Sequence, residues 1–226
     1  MTLLPVTLGI ARTGNPQTSS PALSPELRQK ILERDGHSCR FCGFTSRKYQ
    51  DVHALNGNLA DVSADNLVTS CIFCQQCFDL EKTSAMKSGV LIWLPEMSQG
   101  DLHHIARAIY VARISQGSMA EAAKSAYETL LSRREDAKAR ITTDDPSILA
   151  TVMRDFLTPR HYAGRDKKLD GIRLFPLDRR IIKEGDLEFN QFPQILAYWR
   201  SKDGPFGGKP PHQWKTLYAD LLRTAA

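Results

Sequence analysis

An α+β fold, with a small zinc-knuckle core of short strands followed by a mostly helical region, is what three features of the sequence predict. All five cysteines fall between Cys39 and Cys77, four of them in the pairs Cys39-x-x-Cys42 and Cys71-x-x-Cys74. A short apolar, β-branched run, GVLIWLP, follows them and is closed by Pro95. From Ser98 onward the apolar residues recur at helical spacing among Ala, Leu, Glu and Lys, the residues that favour helices.

Taken in order, Val6–Ile10 predicts a short strand, and RTGNPQTSSPALS, rich in Pro, Ser, Thr and Gly, predicts a linker over 12–24. SPELRQKILERDG predicts a helix capped by Ser24, with Pro25 in the first turn and Gly36 at its end. Gly89–Leu94 predicts a strand. Beyond it, SQGDLHHIARAIYVARI places Leu102, Ile105, Ala106 and Ile109 on one stripe. A second helix, SMAEAAKSAYETLLSRREDAKARI, follows a break at Gly117 and Ser118, giving a helical hairpin. Asp145 and Pro146 open a further helix. TPRHYAGRDKKLDG predicts a basic loop, GIRLFP a strand, the residues after Pro176 a helical turn, and FPQILAYWR and PHQWKTLYADLLRTA two terminal helices. Four regions result: a strand and linker (1–24), the zinc-binding core (25–97), a helical region packed on it (98–157) and a C-terminal helical extension (158–226).

With 42% hydrophobic and 24% charged residues the composition is that of a folded globular chain. Its apolar runs are too short to span a bilayer, so the cytosol is the expected compartment. A net charge of +5 permits contact with nucleic acid, acidic lipid or an acidic protein segment without choosing among them. Arg160, Arg165, Lys167, Lys168, Arg173, Arg179 and Arg180 form the richest basic stretch, either a solvated face or a contact for such a partner. SKDGPFGGKPP lacks the Gly-Lys-Ser/Thr ending of a phosphate-binding loop.

Each Cys-x-x-Cys pair aims two thiolates at one point, and two such knuckles complete a tetrahedral sulfur shell. Cys39, Cys42, Cys71 and Cys74 are therefore the expected ligands of one structural Zn²⁺. Four sulfurs leave no open position for water or substrate, so the ion is expected to stabilise the fold and not to catalyse. Cys77 is expected as a buried small hydrophobe. His103 and His104, adjacent on a helix, cannot face the same way and suggest no metal.

From Arg28 to Cys74 the chain resembles the HNH nuclease family, through RQKILERDGHSCRFCG, VHAL and NLVTSCIFC. The resemblance implies a ββα hairpin held by zinc knuckles, with His53 at the position of the general base and Asn66 at that of the structural asparagine. Yet Val52 precedes His53 and Gln75 follows Cys74, where that family has metal ligands. Phosphodiester hydrolysis needs a cation to stabilise the transition state. No catalytic residue and no nuclease activity are therefore expected; an HNH-type nucleic-acid-binding protein or weak metal-dependent nuclease is the alternative.

ILERDGHSCRFCGFTSRKYQDV, NLVTSCIFCQQCF and GVLIWLPEMSQGDL together are similar to the IcmJ/DotN family of the Dot/Icm type IVB secretion and conjugation systems. That resemblance implies a nuclease-like zinc fold without nuclease activity, serving as an adaptor subunit of the type IV coupling complex. Its expected partners are the cytosolic C-terminal tail of the coupling ATPase and other coupling-complex subunits, in the cytoplasm at the inner face of the inner membrane. The aromatics Phe41, Phe44, Tyr49, Phe73 and Phe78 are expected to pack beside the zinc. Trp93, Leu91, Phe44 and Tyr49 are the candidate partner contacts, with the strand around Leu91–Leu94 offering an edge to an added strand.

Overall fold

The computed structural model describes residues 2–11 and 23–225. The expected linker lies, for residues 12–22, outside the described residues. The first helix, α1 (Pro25–Arg34), forms as its sequence dictates: the Ser24 hydroxyl accepts from Leu27 N–H at 3.2 Å, and Pro25 occupies the first turn. Its buried Ile31 and Leu32 pack on Val52, Ala54 and Leu67. Gly36 (φ +59°) and His37 (φ +53°) then reverse the chain toward Cys39.

Strands β1 (Gln50–Ala54) and β2 (Leu67–Cys71) pair antiparallel, with Gln50 opposite Cys71 and His53 opposite Val68. Helix α2 (Ile72–Phe78) continues directly from β2. These three elements form a ββα unit, and α3 (Leu80–Ala85) follows. Strand β3 (Gly89–Trp93) pairs antiparallel with β4 (Ile172–Pro176), so residues far along the chain complete the middle of the molecule.

The side chains of β3 alternate between two cores. Val90 and Ile92 face the larger one, built around Phe73, Tyr110, Phe175, Phe192, Ile195 and Trp199. Leu91 faces the second, with Leu80, Leu149, Met153 and Leu174. A strand covered on both faces reads as an unbroken apolar run. Its second edge is also used: Leu91 N–H donates to Asp144 O (2.9 Å) and Trp93 N–H to Arg133 O (3.1 Å). The edge expected to accept an added strand is therefore closed, and Leu91 is fully buried.

Around this ribbon lie α4 (Gln99–Arg113), α5 (Ser118–Ser132), α6 (Arg134–Ile141) and α7 (Pro146–Asp155). The hairpin turns at Gly117, whose φ of +85° favours glycine. Two expectations need correction here. The helix read over 118–141 breaks at Arg133, whose carbonyl accepts from Trp93 N–H of β3 as well as from Ala137 N–H (3.3 Å) at the start of α6. Ile105, placed on the apolar stripe of α4, is exposed.

The C-terminal third departs most from expectation. The stretch read as a basic loop contains two short helices, α8 (Pro159–Ala163) and α9 (Arg165–Lys168). After Pro176 the expected helical turn is a hairpin, β5 (Ile181–Glu184) and β6 (Leu187–Asn190), joined through Gly185 at φ +60°. Helix α10 (Phe192–Arg200), a 3-10 turn at Pro211–Gln213 and α11 (Trp214–Ala225) complete the chain. Residues 158–226 are thus no helical appendage, because β4 and α10 supply Phe175, Phe192 and Trp199 to the main core. At the other terminus Val6–Ile10 forms no strand, although Gly9 N–H donates to Cys77 O (2.8 Å) and Gly9 O accepts from Leu80 N–H (3.1 Å). Two isolated bonds to a helix terminus and its neighbour do not make a ladder.

Gly171 shows how tightly β4 is seated. Its φ is +83°, and an added Cβ would collide with the Trp93 ring. We expect Gly171→Ala to cost about 1–3 kcal/mol, read as a lower denaturant midpoint with an altered Trp fluorescence signal.

Candidate metal centre

Two knuckles meet at the junction of the ββα unit with α4. In the first, Cys39 N–H donates to Phe44 O (3.0 Å) and Gly43 N–H to Cys39 O (2.8 Å), the turn being completed by Gly43 at φ +76°. In the second, Cys71 ends β2 and its sulfur accepts from Cys74 N–H at 3.5 Å, so it caps α2. Cys39, Cys42, Cys71 and Cys74 are all buried, and their four sulfurs lie within 4.8 Å of one another. Among the described residues this is the one group of His, Cys, Asp or Glu side chains suited to hold an ion.

The fit can be tested against simple geometry. Tetrahedral sulfurs at about 2.3 Å from a zinc ion are separated by about 3.8 Å. Cys42 Sγ and Cys71 Sγ stand 3.7 Å apart. A disulfide would require about 2.05 Å, and all five cysteines are free. Burial pushes the Cys71 and Cys74 thiols up, whereas hydrogen bonds from Cys39 and Cys71 hold Cys42 down. Four thiols so crowded shed all their protons only when a cation takes their place.

Cys77 Sγ lies 3.6 Å from the Phe73 carbonyl, outside the four-sulfur group, and burial pushes its thiol up. It is a buried thiol, as read from the sequence.

Helix α4 closes the site with a polar stripe that the sequence reading passed over. Gln99, His103 and Arg107 recur at four-residue intervals on its inner face, and all three are buried. Gln99 Oε1 accepts from Leu174 N–H (2.9 Å) while its Nε2 donates to Leu174 O (2.7 Å), which fixes the amide orientation. The same Nε2 lies 2.8 Å from His103 Nε2, which must therefore accept. That leaves the imidazole proton on Nδ1, which faces Cys74 Sγ at 3.3 Å. Burial pushes His103 down to about 4, in keeping with a neutral ring. Arg107 Nη2 donates to Cys71 Sγ at 2.8 Å. His104 points the other way, as expected, and its Nε2 meets the Cys42 carbonyl at 2.7 Å.

The other sequence-derived positions are placed as follows. Asn66 ties together the loop between β1 and β2: its Oδ1 accepts from Asn56 N–H (2.9 Å), and its Nδ2 donates to Asn58 O (3.0 Å) and Asp61 O (2.7 Å). His53 is half-buried against Phe78, ring centroids 4.2 Å apart, and against Phe41 at 5.6 Å. Asp51 turns to Arg28, 3.6 Å away. Phe44 lies under the Arg107 guanidinium, and Tyr49 packs edge-on to Tyr198 of α10. Trp93 is half-buried, with the Arg140 guanidinium 3.7 Å above its ring.

The basic stretch does not form one patch. Arg165 Nε donates to Leu8 O (2.6 Å) and Arg173 Nε to Met97 O (2.7 Å), fastening distant segments, while Arg180 Nε donates to Gln191 Oε1 (3.0 Å) across the base of the β5–β6 hairpin.

No family profile matches the sequence. The chain is 32% identical over 160 residues to the type 4 apparatus protein DotN of Legionella pneumophila, an alignment covering 69% of this chain and 74% of that protein.

Two outcomes are expected. Cys71→Ser should abolish metal retention, whereas Cys77→Ser should keep about one ion per chain, as elemental analysis would read. Burial holds His53 down to about 4 from the ordinary 6.5. The unfolded chain then binds the proton first, so stability should decline as pH falls from about 6.5 toward 4, and His53→Gln should flatten that decline in denaturant titrations.

Proposed function

The chain belongs to the family of the type 4 apparatus protein DotN, a type IV secretion component, and from that premise we propose that it is a non-catalytic, zinc-stapled adaptor. In this reading it docks to the cytosolic C-terminal tail of the coupling ATPase, at the inner face of the inner membrane, and helps to recruit substrates. The observation that carries the reading is the closed four-sulfur group, whose members are all buried. Zinc bound there would have no vacant position, so it would supply stability and no Lewis-acid chemistry.

The ββα unit supports the same reading from the other side. Its ββα order is the one the HNH resemblance implies, but Val52 and Gln75 stand where that family has metal ligands, and His53 belongs to no metal-holding group among the described residues. An imidazole packed against two phenylalanines and held neutral by burial lacks the cation that would stabilise a pentacoordinate phosphate. Among the described residues no helix is long and apolar enough to cross a membrane, so an inner-membrane position would come through partners.

Purified protein incubated with plasmid DNA and Mg²⁺, Mn²⁺ or Ni²⁺ is expected to leave the DNA intact, and immobilised protein is expected to retain the isolated ATPase tail. Cleavage that disappears in His53→Ala would establish the nuclease alternative, and failure to hold the tail would remove the adaptor role.

A further inference from the structure

Arg107 is a charged side chain in an apolar interior with no carboxylate to answer it. It is 1% exposed. None of the ion pairs among the described residues includes it. Its guanidinium carbon stands 3.9 Å from the centre of the Phe44 ring, 4.9 Å from Phe73 and 5.9 Å from Trp199. Its Nε and Nη1 are buried without a hydrogen-bond partner. The one close acceptor is sulfur: Nη2 is 2.8 Å from Cys71 Sγ and 3.9 Å from Cys42 Sγ.

Aromatic faces attract a guanidinium but do not neutralise it, and a buried charge needs an opposite charge or a metal beside it. Four neutral thiols offer neither. Four thiolates around a divalent ion carry a net charge of −2 in an environment of Phe73, Leu102, Ala106 and Trp199, which is as unfavourable alone as the guanidinium is. Each charge makes the other tolerable.

We propose that Arg107 is the counter-cation of the metal centre, bringing the buried assembly from −2 to −1 and binding the ion's outer shell to α4. The inference rests on the four-cysteine metal reading and extends it to a residue outside the knuckles. Its consequence is selective for charge: a side chain of similar length without charge should hold the ion loosely, and a charged one of different shape should hold it well. The N–H···S bond also withdraws electron density from Cys71, which slows attack on that sulfur by electrophiles.

The test is the rate at which a chromogenic chelator extracts zinc, or cobalt followed by its sulfur charge-transfer band, from full-length protein. Arg107→Met is expected to release the ion about tenfold or more faster than wild type, and Arg107→Lys, which keeps the charge but not the stack on Phe44, to release it more slowly than Arg107→Met. Met153→Ala, which opens a cavity in the second core, apart from the four sulfurs, should lower the unfolding midpoint and leave the extraction rate near that of wild type. Wild-type rates in both Arg107 variants would overturn the proposal, as would equally fast release in both, which would mark a role of shape. Should Arg107→Met not fold, Arg107→Gln takes its place with the same expectation. A wild-type protein without metal would defeat the metal reading itself, whereas one bound ion with unaltered release from Arg107→Met would defeat this inference alone.

Discussion

Everything in the molecule is arranged about the meeting of four sulfurs from two segments far apart in sequence. Cys39 and Cys42 sit on a turn after α1, and Cys71 and Cys74 span the end of β2 and the start of α2. A cation held by all four would close the loop that contains β1 and β2. Binding energies of structural zinc sites, about 10–16 kcal/mol in isolated fingers, are comparable with the whole stability of a domain, about 5–15 kcal/mol. A ββα unit with a small apolar cluster of its own would, with an ion bound, depend on that link more than on its side-chain packing.

From the sulfurs the order propagates outward through polar contacts as well as apolar ones. His103 and Gln99 connect Cys74 to both backbone groups of Leu174, so the pairing of β4 with β3 is tied to the second knuckle. Arg107 reaches Cys71 and lies under the rings that also hold Trp199 of α10. Through these two side chains a single helix, α4, couples the N-terminal knuckles to strands and helices contributed by the last third of the chain. The two cores then cover the opposite faces of β3. The four sulfurs are thereby kept out of reach of solvent.

What could be read from the sequence was whatever is encoded locally. The two Cys-x-x-Cys spacings named the four cysteines that the fold brings together, Ser24-Pro25 and Asp145-Pro146 marked helix starts that formed as written, and the apolar run 89–94 marked β3. Long-range pairing left no such mark. Nothing in GIRLFP says that it joins Gly89–Trp93, nor that the far edge of that strand is taken by carbonyls of Arg133 and Asp144. The β5–β6 hairpin did carry a signal, a two-residue Gly-Asp turn, which the charged residues around it obscured. Arg107 and Gln99 look like any solvated polar residues of a helix. Only their four-residue spacing with His103, among Leu102, Ala106 and Ile109, hinted at a buried polar stripe.

The central claim is that sulfur alone saturates the ion. X-ray absorption at the zinc edge of the purified protein measures this directly, because it counts the neighbours and their distances without a crystal. The account predicts four sulfur scatterers at about 2.3 Å and no lighter atom in the inner shell. Three sulfurs with an oxygen or nitrogen at about 2.0 Å would mean an open coordination position, and the reading of a closed, purely structural centre would be contradicted.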